Sequence, residues 1–283
     1  MKVVLFCGGL GMRMRDGAAN LPKPMVPVGE RPLLWHVMRY YAYFGHKDFI
    51  LCLGYGASAI KDFFLNYDET RSNDFVMEGS ARKVTLFRTD ISDWRITFVD
   101  TGLNSSIGER LRRVRGYAEG DGVFMANYAD VLTDAPLPDI IDRFRATDAV
   151  ASLVAVPSQS SHHALDIDDG GRVTKVTPMN GLPHWENGGF FVFRDGIFDE
   201  LRPGEDLVGD ALPRLVARDQ VMAYRHTGFW CPADTLKERS LLEERYQRGD
   251  CPWMLWDPSR CPTADESGGA SVTAGSASGP AGD

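Results

Sequence analysis

No stretch of this chain reaches the roughly 20 consecutive apolar residues that a membrane helix requires. With 43% hydrophobic residues among 283, the chain carries enough apolar mass for one large core instead. It also lacks a basic tract. The 39 acidic residues outnumber the 31 basic ones and leave a net charge of −8, the wrong sign for sequence-independent binding to a phosphate polymer, so no nucleic-acid partner is expected. Cysteine is scarce: Cys7, Cys52, Cys231, Cys251 and Cys261, an odd number with no C-x-x-C spacing. That excludes a zinc ribbon and a paired disulfide framework, and fits reduced thiols in the cytoplasm. His162 and His163 are adjacent, so their rings point different ways, and no third ligand stands at metal-binding spacing. No Ser-His-Asp arrangement, internal repeat or secretory leader pattern is visible. Two familiar phosphate loops are absent as well. No Gly-Lys pair exists to form a P-loop, and Met14 stands where a dinucleotide fingerprint needs its last glycine.

What is present begins at once. Lys2–Cys7 (KVVLFC) is a short run of β-branched, aromatic and aliphatic residues, the pattern of a buried strand. It runs into Gly8-Gly9-Leu10-Gly11-Met12-Arg13. A backbone this bare can bring its N–H groups against an anion such as a phosphate, and the Arg13 fork suits phosphate oxygens. Ten residues on, Lys23 stands between Pro22 and Pro24. The prolines stiffen the segment and present the ammonium. Together these read as a polyphosphate cradle; a glycine-rich strand-to-helix turn without a ligand is the alternative.

The chain then alternates. A helix is predicted over 32–44, a strand over 48–53 ending in Gly54-Tyr55-Gly56, a helix over 60–65 and a strand over 94–99 ending in Asp100-Thr101-Gly102. A basic helix over 108–117 follows, then strand 123–127, helix 137–145, strand 151–157, a hairpin over 164–176, strand 190–193, helix 205–215, strand 221–225 and helix 236–248. This rhythm predicts an α/β fold: a Rossmann-like mixed, mostly parallel sheet flanked by helices, with ligands at the strand C-terminal ends. Asp130 falls just past one such end, beside Tyr128, and is a candidate ligand for magnesium, which needs only one or two carboxylates besides phosphates and water; a turn aspartate is the alternative. Thr101 is placed to bond a ribose or phosphate, or to cap a helix. Asn187 and Gly188 offer an amide and bare backbone that suit sugar hydroxyls, or simply open a strand. Asp234 either contributes to the site or caps the helix that follows.

Cys7–Met25 (CGGLGMRMRDGAANLPKPM) resembles the signature of sugar-1-phosphate nucleotidyltransferases, G-G-x-G-[ST]-R-[LM] followed by P-K-P. Further segments are similar to one branch, the glucose-1-phosphate cytidylyltransferases: PLLWHVM (32–38), KDFILCLGY (47–55), VDTG (99–102), GERLRRV (108–114), NGGFFV (187–192), GFWCPADTL (228–236) and Pro252-Trp253. The resemblance implies a glycosyltransferase-A-like fold over 1–262 and transfer of a nucleotidyl group, most simply from CTP to glucose 1-phosphate with Mg2+. Gly8, Gly9, Gly11, Met12, Arg13, Gly54, Tyr55, Thr101 and Arg110 would hold the nucleotide, with Gly54, Tyr55 and Arg110 near the base. Arg13, Lys23 and Asp130 would be catalytic. Tyr128, Asn187 and Gly188 would face the sugar phosphate, and Asp130 and Asp234 would bind the metal. It also implies a homo-oligomer, with the polar excursion 67–93 taking part in assembly. The chain departs from the pattern at Met12, where the family has Thr or Ser, and at Ala129 and Val131, which replace the glycines of Gly-Asp-Gly. It departs again at Thr177-Pro178-Met179, where the usual Glu-Lys-Pro lysine for the sugar phosphate is missing. Another sugar phosphate, UTP or dTTP as donor, and a catalytically silent nucleotide-binding paralogue therefore remain as alternatives. Residues 263–283 are rich in Ser, Gly, Ala and Thr, cannot bury apolar surface, and are expected to be a disordered tail.

Overall fold

The computed structural model describes residues 1–9, 21–79, 83–158, 162–179, 182–257 and 259–260. Gly11, Met12, Arg13 and the segment 263–283 lie outside the described residues.

The central sheet is built from β1 (Lys2–Phe6), β2 (Asp48–Leu53), β3 (Arg95–Asp100), β4 (Val123–Tyr128), β5 (Ala151–Pro157), β6 (Trp185–Asn187), β7 (Phe191–Arg194) and β8 (Val221–Arg225). Its order is β6-β5-β7-β4-β1-β2-β3, with β8 pairing to β5. Strands β4, β1, β2 and β3 run parallel. Strand β7 is antiparallel to both β4 and β5, and β8 is parallel to β5. The sheet is mixed and mostly parallel, as the alternation of elements predicts.

Both faces of the sheet are covered, which is why β1 reads as an unbroken apolar run. Val3 and Leu5 pack with α1 (Leu33–Tyr43) on one face; Val4 and Phe6 pack on the other with α3 (Ile107–Arg113) and residues of the 197–215 segment. Helix α1 starts at Pro32, whose extended backbone (φ −70°, ψ 156°) suits a helix entry. It ends at Gly45, whose φ of +84° lets its N–H return to the Ala42 carbonyl. Leu33, Leu34, Val37, Met38 and Tyr41 recur on one side and are all buried.

Three predicted elements differ. Helix α2 (Ala57–Leu65) begins three residues before the predicted start at 60, because Gly56 supplies a left-handed entry (φ +68°). The basic helix 108–117 is two pieces, α3 and α4 (Arg115–Ala118), broken where Val114 turns its backbone (φ −95°, ψ 7°) to keep its side chain in the core. The predicted helix 205–215 is a wide turn over Leu207–Ala211 capped by Asp206, followed by a short helix over Leu212–Val216. Pro213 has no N–H for the ladder, so the turn before it widens.

Register decides where loops emerge. Phe6 pairs with Cys52 and with Tyr128, and Leu53 pairs with Asp100. The parallel strands thus end level, and Gly8, Gly54, Thr101 and Asp130 all leave the sheet at one edge. Two antiparallel ribbons, Phe75–Glu78 with Lys83–Leu86 and His163–Ile167 with Val173–Pro178, lie outside the main sheet. Among the described residues no helix is long and apolar enough to cross a membrane.

Candidate active site

The glycine turn sits at the end of β1. Gly8 is buried and Gly9 exposed. The two turns predicted to face the nucleotide touch each other: the Tyr55 N–H donates to the Gly8 carbonyl at 3.3 Å, and a Cβ on Gly54 would lie 2.7 Å from that same oxygen. Glycine at 54 is therefore a packing requirement.

Beneath this junction lies Arg110, only 2% exposed. Its Nη2 donates to the carbonyls of Gly8 (2.9 Å) and Leu103 (3.2 Å); its Nη1 donates to the Leu53 carbonyl (3.1 Å) and the Thr101 hydroxyl (2.8 Å). Thr101 is itself fully buried and donates its hydroxyl to the Leu53 carbonyl at 2.8 Å. Thr101 thus serves Arg110 and the strand ends from inside, and its hydroxyl is spent within the protein. Arg110 makes no ion pair among the described residues, and burial pulls its pKa below the ordinary value. Helix α3 is held close by Gly108, whose Cβ would lie 2.4 Å from the Glu205 carbonyl, and by Ser106, which donates to that carbonyl at 2.6 Å. Of the other arginines in the basic segment, Arg112 and Arg113 pair with Glu109 at 2.8 and 2.7 Å, and Arg115 pairs with Glu119 at 2.8 Å. Those bonds hold Glu109 well down, at about 2.

On the other side of the glycine turn, Lys23, Asp130 and Asp234 meet. Lys23 opens a tight turn over Lys23–Met25 that is anchored by buried Pro24 and Met25. Its ammonium pairs with Asp130 at 2.7 Å and also contacts Asp234. The two aspartates are 104 positions apart in sequence, and a two-stranded piece absent from the sequence reading joins them. Val131–Thr133 pairs antiparallel with Trp230–Pro232, and the Ala233 N–H donates to the Asp130 carbonyl at 2.9 Å. Three-residue strands are too short to show a period, so nothing in the sequence marks this pairing. Nor is Asp234 the helix cap: Thr235 is, with Glu238 closing a capping box. That leaves the Asp234 carboxylate free to face Lys23.

Beyond Asp130 is a cavity of about 430 Å3 lined by Tyr128, Glu186, Asn187, Trp230, Asp234 and Glu238. The Asn187 amide donates to the Tyr128 hydroxyl at 3.4 Å. Gly188 does not offer bare backbone as predicted: its N–H is spent on Val154 (2.8 Å) and its carbonyl on the Trp230 indole N–H (2.8 Å). It is small because its Cβ would lie 3.0 Å from the Val154 carbonyl. Glu186, Trp230 and Glu238 were not singled out as site residues from sequence; a lone Glu or Trp carries no spacing signal.

The family model for nucleotidyl transferases matches residues 2–247. The chain is 34% identical over 258 residues to a glucose-1-phosphate cytidylyltransferase of Salmonella typhi, which covers 91% of this chain and 100% of that protein. It is also 34% identical over 260 residues to a probable glucose-1-phosphate cytidylyltransferase of Bacillus subtilis, covering 90% and 100%. This chain belongs to the nucleotidyl transferase family. Solved structures share the fold: a UDP-glucose pyrophosphorylase from Acinetobacter baumanii superposes with a TM-score of 0.64 at 18% identity, covering 87% of this chain and 92% of that one. HddC from Yersinia pseudotuberculosis superposes at 0.61 and 19%, covering 87% and 99%.

Nucleotidyltransferases of this family generally use divalent metal ions. The donor set of this transferase fits such an ion. Two carboxylates share one ammonium, so they already converge on a point that a small cation can take, with room for water and phosphate oxygens. Thiol chemistry does not fit. Burial raises the Cys7 pKa well above its ordinary value, with Cys52 and Asp130 adding to the shift, so the sulfur stays protonated.

Proposed function

We propose that this nucleotidyltransferase moves a cytidylyl group from CTP to glucose 1-phosphate, with Mg2+, releasing pyrophosphate. The observation that carries this reading is the meeting of Asp130, Asp234 and Lys23 beside the Gly8–Gly9 turn, in a chain 34% identical along the whole length of glucose-1-phosphate cytidylyltransferases. A phosphate oxygen of the sugar 1-phosphate attacks the α-phosphorus, the bond from that phosphorus to the α,β-bridging oxygen breaks, and pyrophosphate leaves with the electron pair. The attacking oxygen is already anionic, so no general base is required. Positioning and charge neutralisation supply the rate. Lys23 balances charge at the α-phosphate, and Arg13 is assigned to the departing pyrophosphate. Asp130 and Asp234 hold the magnesium, which neutralises phosphate charge when bound. Gly9 and Tyr55 face the nucleotide, with Gly8, Gly54, Thr101 and Arg110 behind them. Tyr128 and Asn187 face the sugar.

One observation favours a second acceptor. The family's lysine for the sugar phosphate is replaced within Thr177-Pro178-Met179, and Lys175 belongs to an exposed ribbon. With four carboxylates around the cavity, the acceptor phosphate depends on Lys23 and the metal for counter-charge. Purified protein is given CTP, UTP or dTTP with a panel of sugar 1-phosphates, and pyrophosphate is measured. CTP with glucose 1-phosphate is expected to be the best pair. A different best pair reassigns the substrates, and no pyrophosphate from any pair refutes transfer. Buried free thiols at Cys7, Cys52, Cys231 and Cys251 fit a cytoplasmic site of action. The exposed Phe75 and Met77 of the first ribbon, with Phe87 just beyond it, fit self-association.

A further inference from the structure

A fully buried arginine is ordinarily paired with a carboxylate. Arg110 breaks that expectation beside the site: its guanidinium donates to three carbonyls and one hydroxyl and to no carboxylate among the described residues. The carbonyls it gathers belong to Gly8, Leu53 and Leu103, one from beyond each of β1 and β3 and one from the last residue of β2.

A trans peptide points its C=O and the following N–H in opposite directions, and none of the described peptides is cis. Arg110 draws the Gly8 oxygen inward at 2.9 Å. The Gly9 N–H is thereby turned outward. It donates no hydrogen bond among the described residues, and Gly9 is exposed, with no described atom within 4 Å of where a Cβ would stand, so this N–H is left unused by the described residues at the strand ends. Gly8 itself is what allows the approach, because its Cβ would lie 2.1 Å from Nη1 of Arg110. The same guanidinium leaves a positive charge directly under the turn with no ion-pair partner among the described residues.

We propose that Arg110 is a positioning residue for nucleotide phosphate: it aims the Gly9 N–H at the phosphate chain and supplies, from beneath, the charge that the bound anion neutralises. The proposal rests on the nucleotidyl-transfer reading, and it differs from a guanidinium that reads the base. A base reader acts on the nucleotide alone, whereas a cradle organiser acts on any polyphosphate.

The test uses the full chain and two ligands with Mg2+, CTP and inorganic tripolyphosphate, which has no base. Calorimetric titration compares wild type with Arg110→Met and Arg110→Lys. Arg110→Met is expected to weaken both ligands by the same factor, roughly 10- to 100-fold, the range for losing charge-assisted hydrogen bonds. Arg110→Lys is expected to lose less of each, because an ammonium keeps the charge but not the fork, and to keep the KM for the sugar phosphate at saturating CTP. If Arg110→Met does not fold, as judged by far-UV circular dichroism, the lysine variant decides by the same comparison. The proposal is overturned if CTP weakens while tripolyphosphate does not, if neither weakens, or if wild type does not bind tripolyphosphate. Wild type that binds tripolyphosphate yet releases no pyrophosphate from any substrate pair sinks the transfer reading, and the variants' polyphosphate affinities then still decide the role of Arg110.

Discussion

Replacing Lys23 by methionine removes the one positive charge that Asp130 and Asp234, the carboxylates proposed to hold the metal, both contact. Asp130 faces the ammonium at 2.7 Å and Asp234 contacts it too, so without it the two carboxylates lose the counter-charge they share, and the repulsion of two unit charges taken about 5 Å apart is roughly 1–3 kcal/mol between water-like and intermediate dielectric. The Asp234 side chain is 44% exposed, which favours the lower part of that range because solvent screens it. A metal-free Lys23→Met protein is therefore expected to melt below wild type, by about 2–6 °C for a destabilisation of 1–2 kcal/mol in a domain of this size. Scanning fluorimetry in EDTA reads this directly. Adding magnesium should then raise the variant's midpoint more than wild type's, because the ion no longer competes with a resident ammonium for the same oxygens. Turnover of the variant should fall by about two to four orders of magnitude, since charge balance at the transferred phosphorus is lost. A variant that melts at or above wild type in EDTA, or that gains no more from magnesium than wild type does, would show that Lys23 is not the counter-ion of this pair.

Asp130→Asn keeps the shape of the site but removes one of the two carboxylates proposed to hold the metal; turnover should drop at least a hundredfold with an unchanged circular dichroism spectrum, and near-normal turnover would exclude Asp130 as a ligand. Gly8→Ala puts a Cβ 2.1 Å from the Arg110 Nη1, so the guanidinium must leave its carbonyls, at a cost of about 2–4 kcal/mol; urea unfolding that matches wild type would count against that packing. His36 is buried neutral, its Nε2–H donating to the Val28 carbonyl at 3.0 Å and its Nδ1 accepting from Trp253 at 3.4 Å. Burial pulls its pKa from 6.5 to about 4. The unfolded chain therefore binds the extra proton first, and stability should fall as pH drops from about 6.5 towards 4, by up to roughly 3 kcal/mol. His46, also lowered to about 4 by burial, adds to the slope. His36→Gln should flatten it in urea titrations across that window, and an unchanged slope would place the proton uptake elsewhere. Met38→Ala, in the fully buried face of α1, should cost about 2–5 kcal/mol without touching KM.

Much of the architecture was legible because local chemistry and tertiary role agree. The unbroken apolar runs of β1 and β2 mean burial on both faces wherever they sit. Pro32 and Gly45 bracket α1 through their own backbone preferences. The glycines after β1 and β2 marked the turns there, although what requires glycine at 8 and 54 is the close approach of Arg110 and of the Gly8 carbonyl. The 108–117 segment misled because its helical period is real, while the break at Val114 answers only to the packing of the core around it. The segment 205–215 reads as one helix from its sequence, and Pro213, which lacks an N–H for the ladder, is where the structure departs from that reading.

The amino-acid order by itself determined which groups were on offer: a bare backbone after β1, a lysine between prolines, an aspartate past β4, another before the last helix. Each of these is a property of neighbours along the chain. What only the tertiary structure decided was their meeting. Two three-residue strands too short to carry a pattern bring Asp130 to Asp234. A threonine takes the cap and frees the carboxylate beside it. Strand register brings Gly8, Leu53 and Thr101 level, so that one buried guanidinium can hold all three. Those outcomes depend on distances across the sheet, and periodicity along the chain holds no information about them.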